Sequence, residues 1–321
     1  MVPILQMDQN NLRKRGLNMG KKPYEVAIIV KALNSDFWQT MLNGAKKAAK
    51  EHPELLKVTT YGPPEERDIA LQVEILEHVV ESEPDGIAIA STSNDLTIPA
   101  IDAAMKKGIP VVTMDNRIRS DNFVSFLATD SVNAAASAAD AMLGDWKKAG
   151  ISPEGKKFVV INSSRESKVD RDRDRGFMER MKTLVPSMTM LDVQYVENDP
   201  ALTAKVTKTL IEENPDLIGI FADNDMTGVG ISRGIANAGA AGRVMAYAFD
   251  ANEEEIRAVK DGVLTGMVVQ DPMGIGYKSA MFLTQVLEGG TVPKDVDTGA
   301  TIVTKDNIDD PTVHKLLYPN E

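Results

Sequence analysis

At 321 residues the chain is long for a single hydrophobic core, so two domains are expected, and a hydrophobic content of 43% is that of an ordinary globular protein. A net charge of -11 sets an acidic body against phosphate backbones, which argues against nucleic acid as a partner and disfavours strongly anionic ligands. With no cysteine, disulfides, thiolate metal sites and cysteine nucleophiles are excluded, and no stretch approaches the ~20 apolar residues that span a bilayer.

Residues 1–23 stand apart as a leader. Arg13, Lys14, Arg15, Lys21 and Lys22 against Asp8 alone make this end basic, and it lacks the apolar run of a secretory signal. A polar, flexible segment is expected there. From Tyr24 a regular alternation begins. Strands are expected over 25–31, 57–61, 86–90 and 109–113, with helices over 37–51, 69–80 and 96–106 between them. In the second helix Ile69, Val73, Leu76 and Val80 recur at three- and four-residue spacing, and Gly108 ends the third. The rhythm restarts after Asp130. Helices over 134–149, 175–184, 201–212, 228–238, 253–260 and 274–287 alternate with strands over 158–161, 190–196, 217–221, 244–249 and 264–269. Such alternation builds parallel sheets covered by helices on both faces, here as two similar α/β units.

Six polar segments lie where apolar strands give out: 31–38, 115–117, 171–173, 223–225, Asp250 and Gln270. Ligands of open α/β sheets bind beyond the carboxyl ends of the strands, so polar groups arriving there from both halves predict one shared site. Carboxylates and amides bridge neighbouring hydroxyls, cationic side chains donate to several oxygens, and an aromatic face stacks on C–H groups. That chemistry suits a small polyhydroxylated molecule.

The order of these segments carries a resemblance. Asn34-Ser35-Asp36-Phe37-Trp38 is similar to the N-P-F-[FW] entry to the first helix of the type I periplasmic sugar-binding proteins, the branch that binds ribose, allose, arabinose and galactose. Pro110 to Asp115, Arg171-Asp172-Arg173 before Gly176-Phe177, Phe221 to Asp225, Phe249-Asp250 and Gln270 match the same family in the same order, over about residues 24–304. The resemblance implies an α/β fold of two Rossmann-like doubly wound parallel-sheet lobes, joined by a three-strand hinge and closing around a sugar. Crossings are expected near 129–130, 270–271 and 301–303, giving lobes of 24–129 plus 271–302 and 130–270 plus 303–321. It also implies a monosaccharide or polyol ligand, no cofactor, no metal and no catalysis. The expected partner is the membrane permease of an ABC transporter, or a chemoreceptor, with a monomer working in the periplasm or as an extracellular membrane-anchored lipoprotein.

Carried over position by position, Lys31 resembles a lysine that donates to a sugar oxygen, and Phe37 and Trp38 an aromatic platform. Asp115 resembles a carboxylate taking two vicinal hydroxyls and Arg171 a guanidinium donor, with Asn224, Asp250 and Gln270 completing the clamp. Three further candidates sit where the chain departs from the family pattern. Ser35 and Asp36 replace an Asn-Pro pair, Asn116 stands in place of an arginine, and Asn198 falls where ribose-type proteins place a second aromatic. Blander readings accompany most of these residues. Trp38 can be core, and the 171–175 run can be a self-paired helix face in which Arg173 braces Arg171 or a carboxylate. Asn224 and Asp250 can be helix caps, and Gln270 a turn residue.

Two other classes fit the fold. A nicotinamide-dependent enzyme would show a G-x-G-x-x-G after a strand. Gly228-Val229-Gly230-Ile231-Ser232-Arg233-Gly234 has the wrong last spacing and lies inside an expected helix, where small-residue packing explains it. There is no P-loop or nucleophile elbow, and His52, His78 and His314 are far apart. A LacI-type regulator core lacking its DNA-binding domain is the second alternative. The short leader and the acidic body weigh against it.

Overall fold

The computed structural model describes residues 22–165 and 167–319, so most of the expected leader lies outside the described residues. The chain runs β1 (Tyr24–Ile29), α1 (Asp36–Glu51), β2 (Leu56–Tyr61), α2 (Ile69–Glu81), β3 (Gly86–Ala90), α3 (Ile98–Lys106), β4 (Val111–Met114) and β5 (Ser125–Ala128). A second series follows: α4 (Ser131–Ala149), β6 (Lys157–Asn162), α5 (Lys168–Leu184), β7 (Thr189–Met190), β8 (Gln194–Tyr195), α6 (Pro200–Glu213) and β9 (Leu217–Ala222). It ends with α7 (Asp225–Asn237), β10 (Met245–Phe249), α8 (Glu253–Asp261) and β11 (Gly266–Val269). Then come α9 (Pro272–Leu287), β12 (Asp295–Asp297), β13 (Thr301–Thr304) and α10 (Pro311–Leu317).

These strands form two sheets with the same order. The first reads β2-β1-β3-β4-β5-β12 and the second β7-β6-β9-β10-β11-β13, with β8 also paired to β6. All their pairings are parallel except β11 with β13. Strands of a doubly covered parallel sheet read as continuous apolar runs, and β9 is buried at every residue. Each sheet accordingly has a hydrophobic cluster on both faces.

The chain passes between the lobes after β5, after β11 and between β12 and β13. The third crossing corrects the expectation, because 301–304 is a strand of the second sheet and the passage lies at 298–300. It is pinned to the first crossing: Asp297 Oδ1 accepts from the backbone N–H of Asp130 (3.0 Å) and of Gly299 (2.8 Å), and Thr129 Oγ1 donates to Gly299 O (3.1 Å). After the second crossing α9 returns to the first lobe and packs along α1.

The expected strand over 190–196 is split into β7 and β8, both on β6. Helix α5 starts at Lys168, a full two turns before the expected 175, with Ser167 as its cap. The glycines of α7 serve packing. A Cβ at Gly230 would lie 2.2 Å from Thr203 Cβ and one at Gly234 2.5 Å from Thr207 Cβ, so they let α7 and α6 approach closely. That disposes of the dinucleotide fingerprint.

Candidate functional site

Because the two sheets share one order, β4 and β10 occupy equivalent places. Each ends in an aspartate held in the left-handed region: Asp115 at φ 59° and Asp250 at φ 73°. Aspartate tolerates this conformation better than most residues, yet it stores of order 1 kcal/mol of strain, and such positions cluster at functional sites. In both cases the backbone N–H donates to the neighbouring strand, Asp115 to Leu127 O and Asp250 to Val268 O, at 2.9 Å each. The carboxylates are therefore aimed beyond the strand ends by the sheet itself.

Each aspartate is paired with a cation, Arg173 buried and Lys31 partly so. In the first lobe Lys31, just past β1, places Nζ 2.6 Å from Asp115 Oδ2 and 5.2 Å from the Trp38 ring centroid. Burial works against its charge, but Asp115 and then Glu66 outweigh that and raise the pKa. In the second lobe Arg173, on the inner face of α5, donates through Nη1 to Asp250 Oδ2 (3.2 Å) and Asp223 O (2.7 Å). Its guanidinium lies 3.8 Å from the Phe249 ring centroid. Gln270 Nε2 adds a 2.6 Å bond to Asp250 Oδ1. Burial pushes the Asp250 carboxyl above the usual range, and Arg173 and Gln270 offset part of that rise. The charges of the two lobes act on each other: Asp170 contributes to the raised pKa of Lys31, and Asp115 to those of Arg173 and Asp250.

Arg171 is not part of this arrangement. The inward residues of α5 are Asp170, Arg173, Asp174, Gly176, Phe177 and Met181, a three-and-four spacing. Two residues on a helix lie about 200° apart, so Arg171 and Arg173 face opposite ways. Arg171 is exposed and donates to Arg165 O, while the Arg165 guanidinium stacks 3.6 Å from the Tyr195 ring centroid. Of the two, Arg173 is the arginine that reaches a strand-end aspartate.

The remaining candidates divide. Trp38 is buried in the first-lobe core at 4% exposure, whereas Phe37, edge-on to it at 4.8 Å, stays half-open. Of the two rings Phe37 is thus the partly open one, and Trp38 is core. Asn116 turns inward, its Nδ2 donating to Ser91 O (3.2 Å) and Asn94 Oδ1 (2.7 Å), so it braces a loop instead of standing in for a ligand-binding arginine. Ser35 occupies the N-cap place of α1 without a side-chain capping bond. Asn224 caps α7 in a reciprocal capping box with Thr227, and its Nδ2 donates to Asn198 Oδ1 at 2.9 Å. Asn198 itself has φ 56° and is exposed.

Beneath the second-lobe wall lies a buried polar layer that was not anticipated. Asp223 Oδ2 accepts from Ser163 N (2.8 Å) and Oγ (3.2 Å), Asp223 Oδ1 from Thr227 Oγ1 (2.9 Å), and Asp170 Oδ2 from Ser163 Oγ (2.6 Å). Burial, with Asp170 and Asp174 close by, holds the Asp223 carboxyl well above its usual range. Burial likewise pushes Asp174 to about 7 and Asp225 to about 6. Among the described residues no group of three histidines, cysteines or acids is placed to hold a metal ion.

Known proteins place this architecture. A model of the periplasmic binding protein domain matches residues 26–291. The D-allose-binding periplasmic protein of Escherichia coli (strain K12) is 26% identical over 275 residues, covering 84% of this chain and 86% of that one. An ABC transporter solute binding protein from Agrobacterium vitis, solved with bound D-fucose, is 34% identical with a TM-score of 0.81, covering 92% of this chain and all of that one (100%). A carbohydrate transporter solute binding protein from Agrobacterium radiobacter, solved in complex with D-arabinose, is 31% identical with a TM-score of 0.83, covering 92% and 99%. By its sequence, its pair of like-ordered sheets and these matches, the chain belongs to the periplasmic binding protein family.

Proposed function

We propose that this protein is the extracytoplasmic solute-binding component of an ABC importer and takes a monosaccharide between its two lobes. It is a binding protein and not an enzyme, as are the relatives it matches. The observation that carries the reading is the pair of strand-end aspartates, Asp115 and Asp250, one per lobe, each ion-paired with a cation of its own lobe. Acceptors tethered to cations on both sides of a cleft are ready to receive sugar hydroxyls. Hydrogen bonds to charged groups are worth about 1.5–3 kcal/mol each, so a handful reaches the ~8 kcal/mol of micromolar binding. Gln270 and Arg173 hold the second-lobe carboxylate, Lys31 the first, and Phe37 offers the half-open aromatic face.

The same reading makes the closed, sugar-loaded form the one that docks on a membrane permease, with the protein acting as a monomer. A chemoreceptor as second partner and attachment through a lipid anchor remain part of the proposal. The test is a thermal-shift panel of pentoses, hexoses, deoxyhexoses, polyols, amino acids and nucleotides. Ligand at 100 times Kd stabilises the folded form by about 2.7 kcal/mol, a readable rise in melting temperature. A rise with one sugar or a few related ones supports the assignment, and a response to nucleotides alone overturns it.

A further inference from the structure

The loop over 62–68 joins β2 to α2 at the carboxyl end of the first sheet. Two bonds lace it to the turn that carries Lys31 and Phe37. Leu33 N donates to Pro63 O at 2.9 Å, and Trp38 Nε1 donates to Glu66 Oε1 at 2.6 Å. Trp38 is 4% exposed and Glu66 is exposed, so the carboxylate reaches from an open position to the edge of a buried indole. Its charge is felt on both sides. Glu66 helps keep Lys31 protonated in the first lobe, and it adds to the raised pKa of Asp225, the first residue of α7 in the second. Glu66, Trp38, Lys31 and Asp115 thus form one connected group at the carboxyl end of the first sheet.

We propose that Glu66 is a ligand-contacting residue, accepting a hydroxyl at the edge of the sugar nearest Trp38 and so helping to set which hydroxyl pattern the site accepts. This rests on the sugar-binding reading. An ionised carboxylate offers about four acceptor positions, and the indole N–H takes one. Holding that N–H needs no charge, since a neutral oxygen would do as well.

The competing role is purely positional, with Glu66 serving to hold the indole. A double-mutant cycle by titration calorimetry separates the two, using whichever sugar gives the wild-type thermal shift. If the wild type binds no sugar, the functional reading fails before any variant is made. Glu66→Ala is expected to weaken binding at least tenfold, with Glu66→Gln intermediate. Trp38→Phe removes the indole N–H but keeps an aromatic ring. The loss from Glu66→Ala should persist at similar size in the Trp38→Phe background. Unchanged affinity in Glu66→Ala, or a loss that disappears once Trp38 is phenylalanine, overturns the contact role. Glu66→Ala leaves the buried indole N–H without its acceptor, so the melting temperature without sugar is measured alongside, and Glu66→Gln, which keeps an acceptor oxygen, is the variant expected to match the wild type there.

Discussion

Asp174 sits 4% exposed on the inner face of α5, with one oxygen accepting from Asn162 Nδ2 and the other without a hydrogen-bond partner among the described residues. Burial, helped by Asp170, raises its pKa from 3.8 to about 7. A carboxyl whose folded pKa is raised binds its proton more tightly folded than unfolded. It therefore disfavours the folded state progressively as pH climbs from the unfolded value to the folded one. Stability should fall between pH 4 and about 7 by on the order of a few kcal/mol from this group, then level off. Asp174→Asn should flatten that fall, read as melting temperature at pH 5 and pH 8. A variant with the same pH dependence as wild type would mean that other groups set it. The neighbouring Arg173 shows where residue-level sequence reasoning was limited. The 171–175 run alternates charge so evenly that no apolar stripe marks an inner face, and with the helix start placed at 175 its facing could not be worked out. Once Lys168 is known as the start, Phe177 and Met181 fix the face and Arg173 follows at four residues before Phe177.

At the scale of elements, the glycines of α7 make a prediction opposite to the usual one. Glycine to alanine inside a helix normally stabilises by about 1 kcal/mol. At Gly230 the new Cβ would meet Thr203 Cβ at 2.2 Å and Cγ2 at 2.4 Å, so α7 must move off α6. Gly230→Ala should instead destabilise by about 1–3 kcal/mol, measured by urea unfolding with an unchanged slope. A stabilised variant would contradict the packing account. Most elements were legible because long amphipathic helices and apolar strands carry strong periodicity. The exceptions were short. Four-residue β5 and three-residue β12 have too few positions to show a pattern, and two of the three residues of β12 are Asp295 and Asp297. β13 extends the second sheet as its antiparallel edge, so a βαβ rhythm gives no cue for it. For that reason the third crossing was expected about three residues too late.

The whole molecule is two lobes of one plan, each presenting a carboxylate–cation pair at the carboxyl end of its sheet. Five of the six polar segments begin within two residues of a strand end and 171–173 lies in the first turns of α5, but the facing of their side chains was not legible in the sequence. Strand ends are marked by where apolar runs stop, but which side chains face the ligand depends on helix phase and on which amides are already used for bracing, as with Asn116 and Asn224. A ligand closes such a molecule only through its differential affinity for the closed form, so contacts from both lobes are required. The most direct test is to titrate the sugar identified by thermal shift into the wild type and into Asp115→Ala, Arg173→Ala and Arg171→Ala by calorimetry. The account predicts that Asp115→Ala and Arg173→Ala, one from each lobe, each lose at least two orders of magnitude in affinity while Arg171→Ala binds like wild type. Retained affinity in Arg173→Ala together with a large loss in Arg171→Ala would contradict it.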